Sequence, residues 1–291
     1  MSQPVTLRES QPPFIQIDGL CNFRDIGDLP TTFPSLLTRS NVLYRGPDLG
    51  QITSEGEQQL RDLGIAVIFD IRSTPQIDRA GGVQEIEGIK RIWCPVFEDG
   101  EYTPEKAGLR YQQYSSEGTE GIVAAFEEIL IHGAKPTFRP LLLYLASLPP
   151  PSSPAKAPAV MVHCTTGNNR SGVFIGILLA ILGVSRNLIA VEYALSQDGL
   201  LASRDKAVER LMKNSKFVQA VGTGEQGRQR AERMLGAREE SMSAMLEMVE
   251  DKWGSVERYL KEECGLGIEV VERVREVLRI EGQEGDSWVK I

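Results

Sequence analysis

Histidine is scarce in this chain. Only His132 and His163 occur in 291 residues, with four widely spaced cysteines at 21, 94, 164 and 264. No two cysteines form a CxxC pair and no Cys/His cluster has ligand spacing, so neither a metal site nor a disulfide framework is expected, and no cofactor is called for. Positive charge is also short: 32 Lys and Arg face 40 Asp and Glu, a net charge of −8. A general nucleic-acid binder or anionic-membrane binder needs a basic face, and this balance argues against both while leaving room for a small anion pocket. Long apolar runs are missing as well. The longest, Val173 to Val184, is too short to span a bilayer, so no membrane insertion is expected. Met1 to Pro13 lacks the basic start and apolar core of a secretory signal, which predicts a cytoplasmic, reducing setting with free thiols.

What is present is a succession of short elements. Ile65 to Asp70 (IAVIFD) is a continuous apolar run rich in β-branched residues, the pattern of a strand buried on both faces. Phe14–Ile17, Asn41–Tyr44, Lys90–Val96 and Pro158–Val162 read as further strands. Ser54–Leu63 reads as a helix with Ser54 as its N-cap. A helical pattern over 107–131 is broken by Gly118 and Gly121, and Thr137–Ser147 is a short helix. Residues 148–158 are rich in Pro and Ser and form a surface loop. Arg170–Leu182 is apolar on all sides, as a buried central helix would be. Helices are expected at 187–197, 203–213, 227–252, 254–263 and 268–280. The pattern predicts an α/β fold with a mostly parallel central sheet flanked by helices and a helical C-terminal part. Residues 1–13 read as a flexible arm, and 14–291 as a single domain. In such sheets ligands bind at the carboxyl ends of the strands, where the turn at 163–169 lies.

That turn opens the most informative segment, His163-Cys164-Thr165-Thr166-Gly167-Asn168-Asn169-Arg170-Ser171-Gly172. A cysteine at the mouth of a helix N-terminus meets free N–H groups and the positive end of the helix dipole, and both favour the thiolate. Five residues between Cys164 and Arg170 allow the loop to curl so that the amides of Thr165 to Asn169 point inward around a phosphate. Arg170 can then grip two of its oxygens as a fork. Gly167 supplies backbone freedom. The Ser171 hydroxyl can donate to the thiolate and help sulfur leave, while His163 orders the loop. Cys-x5-Arg alone arises often by chance. The apolar strand before it, the Gly within it and the Arg-Ser-Gly entering an apolar helix make this one a phosphate cradle with a nucleophile.

With those residues in view, the sequence resembles the protein tyrosine phosphatase superfamily, and within it the atypical tyrosine/serine phosphatases of bacteria and fungi. The resemblance rests on Asn22-Phe23-Arg24-Asp25-Ile26-Gly27, Leu43-Tyr44-Arg45, Asp70-Ile71-Arg72-Ser73, the Cys164 loop, Tyr193-Ala194-Leu195-Ser196 and Trp253 to Leu260, in family order over about residues 19 to 280. It implies one catalytic domain and a phosphatase acting through a phosphocysteine. The family loop usually carries Lys and Asp directly before the Arg, where this chain has Asn168 and Asn169, so the acid that the family aspartate supplies must come from elsewhere. Asp70 and the pair Glu98 and Asp99 are the candidates. Asp70 reads equally as a capping carboxylate, Glu98 and Asp99 as a solvated loop, and Arg72 as a partner of Asp70 or a substrate ligand. The remaining cysteines read as packing residues, His132 as an exposed loop residue and Gln226–Glu240 as a solvated helix. In this family the helices after the loop can form a lid.

The expected function is therefore hydrolysis of phosphomonoesters, phosphotyrosine or another phosphate with a good leaving group, on a phosphorylated protein or a small molecule. The Asn168-Asn169 pair keeps open a phosphate-binding pseudophosphatase or altered chemistry on another anionic substrate. The oligomeric state is left open.

Overall fold

The computed structural model describes residues 6–7, 13–101, 103–282 and 287–290. Among them the strands are β1 (Thr6–Leu7), β2 (Arg24–Asp25), β3 (Leu36–Thr38), β4 (Leu43–Gly46), β5 (Ile65–Asp70), β6 (Lys90–Trp93), β7 (Ala159–His163), β8 (Arg279–Glu281) and β9 (Val289–Lys290). The helices of the first half are α1 (Ser54–Asp62), α2 (Thr74–Arg79), α3 (Pro104–Tyr114), α4 (Glu120–Gly133) and α5 (Arg139–Ser147). Those of the second half are α6 (Asn169–Ile181), α7 (Arg186–Ala194), α8 (Ser196–Gly199), α9 (Leu201–Met212), α10 (Ser215–Val221), α11 (Gly224–Leu235), α12 (Glu239–Trp253), α13 (Val256–Glu262) and α14 (Ile268–Leu278).

The central sheet has the order β2-β4-β7-β5-β6, antiparallel only at β2–β4 and parallel elsewhere. β7 lies in its middle and is buried at every position. Its side chains alternate between two cores, Val160 and Val162 on the α6 face and Ala159 and Met161 on the other with Phe23, Tyr44 and Leu60. Burial on both faces is why β5 and β7 read as unbroken apolar runs rather than as alternation. α6 is buried nearly all round. A Cβ at Gly172 would come within 2.8 Å of the Tyr193 ring, and one at Gly176 within 2.8 Å of the Met242 sulfur, so both glycines allow close helix packing.

Several expectations need correction. Thr53, not Ser54, caps α1, its side chain accepting from the Gly56 N–H. Phe14 and Ile17 make isolated bridges, to Arg24 and Leu20, rather than a strand. The helix expected over 227–252 breaks at Gly236 into α11 and α12. His132 sits in the last turn of α4, half-buried against the Phe97 ring, not in an exposed loop. α11 is not merely solvated: Ala231 joins Val208, Phe217 and Val221 in a small separate core packed on Tyr111 of α3. The C-terminal part also carries strands, β8 pairing with β3 and β9 with β1. The segment read as a flexible arm thus contributes Thr6–Leu7 to a strand pair, while residues 1–5 and 8–12 lie outside the described residues.

Candidate active site

The loop joining β7 to α6 runs from Cys164 to Asn168 at the carboxyl edge of the sheet. Its curl depends on Gly167, which has φ +70°, and a Cβ there would stand 2.5 Å from the Gly46 carbonyl group. The loop is held from outside by residues distant in sequence. The Asn22 side-chain amide donates to the Thr166 carbonyl at 2.9 Å. Arg45 donates to the carbonyls of Gly167 and Asn168 at 2.8 and 2.9 Å. The Asp48 N–H donates to the Thr165 carbonyl at 3.1 Å. These bonds satisfy the carbonyls of Thr165, Thr166, Gly167 and Asn168 with partners outside the loop.

Beneath the loop lies a buried ion triad. Glu192 of α7 accepts from Arg24 Nε at 2.8 Å and pairs with Arg45 at 2.6 Å. Arg24 also donates to the Glu192 carbonyl and the Ser196 hydroxyl, each at 3.0 Å. Burial favours the neutral acid, but the two guanidinium charges outweigh it and hold the Glu192 carboxyl below its ordinary value. Burial and the neighbouring Arg45 lower Arg24 to about 10, still cationic at neutral pH. Arg24 and Arg45 fall within the family-like segments of the sequence, whereas Glu192 lies just before one of them. The available signal at Glu192 was a lone acid following the apolar run Leu188–Val191 of α7.

The thiol of Cys164 is buried, with its sulfur 3.6 Å from the Ser171 hydroxyl. His163 Nδ1 lies 3.0 Å from the Cys164 carbonyl oxygen, and its Nε2 lies 3.6 Å from Asp70 Oδ1. Asp70 accepts from Arg72 Nε and NH2 at 2.9 and 2.8 Å and from Arg91 NH2 at 2.8 Å. Burial alone would raise this carboxyl. The hydrogen bonds and charge of Arg72, together with His163 and Arg91, hold it far below the carboxylate range. Burial likewise keeps His163 below its usual value, with Asp70 opposing. Arg72 loses hydration on burial, yet Asp70 more than restores its basicity.

The two asparagines of the loop are both engaged. Asn168 donates to the Gly236 carbonyl at 3.1 Å, and Asn169 accepts from the Tyr193 hydroxyl at 2.9 Å. Arg170, at the start of α6, lies with its guanidinium carbon 5.0 Å from the centre of the Phe97 ring. Arg110 covers that ring at 3.9 Å and donates to the Glu101 carbonyl, which ties the turn after Phe97 to α3. Glu98 and Asp99 stand exposed on this turn. Cys164, Ser171, His163, Asp70 and Arg72 thus come together at the carboxyl edge of the sheet, whereas Glu98 and Asp99 stand on the exposed turn that follows Phe97. Burial pushes the thiols of Cys94 and Cys264 up to about 12, which makes both inert, and all four cysteines are free. No helix among the described residues is long and apolar enough to cross a membrane.

Comparison with known proteins identifies a family. The family model described as tyrosine phosphatase family matches residues 15–279. The triple specificity protein phosphatase PtpB of Mycobacterium tuberculosis is 24% identical, the match covering 90% of this chain and 98% of the relative. A tyrosine-protein phosphatase of Nostoc commune is 22% identical, covering 81% and 77%.

Proposed function

The chain belongs to the tyrosine phosphatase family, a phosphoric monoester hydrolase by class, and from that premise we propose that it acts through Cys164 and a phosphocysteine intermediate. The observation that carries the proposal is the Ser171 hydroxyl 3.6 Å from the Cys164 sulfur, inside a loop whose carbonyls are tied outward. The substrate phosphate sits among the loop amides of Thr165 to Asn169, with Arg170 on its equatorial oxygens. The Thr165 hydroxyl, which has no hydrogen-bond partner among the described residues, adds a donor. The thiolate attacks phosphorus, a P–S bond forms as the P–O bond to the leaving group breaks, and water then cleaves the P–S bond. Ser171 donates to the departing sulfur in that second step.

Asp70 takes a positioning role in this reading rather than that of an acid. A buried carboxylate gripped by two guanidinium groups holds no proton to give, but it fixes Arg72 and His163 at the base of the loop. Asp99 is then the acid that protonates the leaving oxygen, from the turn that Phe97 anchors beside Arg170. An exposed acid of this kind favours leaving groups that need little help. A phenol, with a pKa of about 10, needs less than an alkyl alcohol, so phosphotyrosine or a small aryl phosphate is the substrate class. Phosphorylated proteins and small-molecule phosphates are both admitted, nucleic acids and membrane insertion are not. A reducing cytoplasm suits the free Cys164 thiol.

The test is hydrolysis of an aryl phosphate across pH in the presence of a chelator, wild type against Cys164→Ser. Turnover present in the first and absent in the second supports the reading. Vanadate binding without turnover in the wild type would replace it by a phosphate-binding pseudophosphatase, with Asn168 and Asn169 as the cause.

A further inference from the structure

Trp253 and Trp288 are buried, at 4% and 6% exposure, while Trp93 stays 47% exposed. Trp93 closes β6, the edge strand of the central sheet, in register with Asp70 of β5. Its indole N–H donates to the Arg72 carbonyl oxygen at 2.8 Å. That bond draws the ring inward, over the carboxyl end of β5, instead of letting it trail from the edge. Asp70 is in turn in register with His163, the residue before Cys164. Neighbouring strands lie about 4.8 Å apart, so the Trp93 backbone is roughly 10 Å from β7, and the inward turn of the ring spans part of that gap. The result is a large aromatic surface, tethered at its polar end and about half exposed, on the rim that carries the phosphate loop. It belongs to none of the hydrophobic cores. Between it and the loop stands Arg72, whose charge suits the approach of a dianion.

We propose that Trp93 is a specificity-determining residue: the wall against which the aromatic ring of a phosphate monoester packs while its phosphate occupies the loop. This inference rests on the phosphatase reading of the Cys164 loop. Two rings in offset or edge-to-face contact gain an increment that an alkyl phosphate or inorganic phosphate cannot. The preference for aryl substrates then has two separable sources, leaving-group chemistry at the sulfur and ring contact at Trp93. Only the second is present in binding without turnover.

That separation defines the experiment. In Cys164→Ser, which binds without completing the reaction, phenyl phosphate and inorganic phosphate are titrated while tryptophan fluorescence is followed, and affinities are measured by calorimetry. Trp93→Ala and Trp93→Phe are compared in the same background. The expected result is a spectral change with phenyl phosphate and none with inorganic phosphate, lost in both substitutions. Affinity for phenyl phosphate should fall roughly three- to tenfold in Trp93→Ala, the size of one aromatic contact. It should be largely kept in Trp93→Phe, and inorganic phosphate should bind all variants alike. An unchanged ratio of the two affinities in Trp93→Ala overturns the inference while leaving the phosphatase reading intact. Failure of both ligands to bind, together with a wild type inert toward aryl phosphates, overturns the phosphatase reading and this inference with it.

Discussion

The floor of the phosphate loop and its rim are built on opposite principles. On the floor, Arg24, Arg45 and Glu192 are buried charges that are paired and spent on fixing backbone carbonyls. On the rim, Glu98, Asp99 and Trp93 are exposed, and the acidic pair follows Phe97, whose ring lies against Arg170. Buried ion pairs do little for net stability but impose geometry, because removing one partner leaves an uncompensated charge. Exposed groups contribute little to the fold and remain available to a substrate. The difference separates what shapes the cradle from what selects and protonates the ligand.

Substitutions break or sharpen this contrast, here ordered by cost to the fold. Glu192→Gln leaves two arginines buried without their counter-charge and should lower unfolding stability by about 3–5 kcal/mol, read by denaturant titration. A near-neutral result would mean that the floor is not under electrostatic control. Asp70→Asn should cost about 2–3 kcal/mol at pH 7. Its signature is pH dependence. The Asp70 carboxyl is depressed in the folded protein, so its stabilisation is complete above the ordinary carboxylate value and is lost as pH falls below about 4. Wild type should therefore lose more stability than Asp70→Asn as pH falls from about 5 to about 2, a window that opens about one unit above the ordinary carboxylate value. Gly167→Ala should cost about 1–3 kcal/mol, because its φ and the Gly46 carbonyl both resist a Cβ, and it should also weaken vanadate binding. Asp99→Asn should change stability by no more than about 0.5 kcal/mol. Its expected effect is a rate loss on the order of 10²-fold or more for poor leaving groups, shrinking for nitrophenyl esters.

How much of this was legible in the sequence follows the same division. β5 matches its expected bounds, and the loop and α6 were recognisable, because a continuous apolar strand, a glycine turn and a uniformly apolar helix are local patterns. The triad was not legible as a unit. Arg24 and Glu192 are separated by 168 positions, and a charged residue carries no sign of its partner. β3 and β8 escaped notice because three residues are too few to display alternation, and their pairing is long-range. The break between α11 and α12 was missed because Gly236 ends one helix without interrupting the helical character on either side. The expectation for Asp70 changed once its neighbours were known: alone it can be acid or cap, but beside Arg72 and Arg91 its charge is committed.

The most direct test of the central claim is mass analysis of a reaction quenched in acid within the first turnovers on an aryl phosphate. Ser171→Ala is used alongside the wild type to slow breakdown of the intermediate. The account predicts one phosphoryl group on the peptide that contains Cys164, more abundant in Ser171→Ala. Continued turnover with Cys164 unmodified in both proteins, or with the phosphoryl group on another residue, would contradict it.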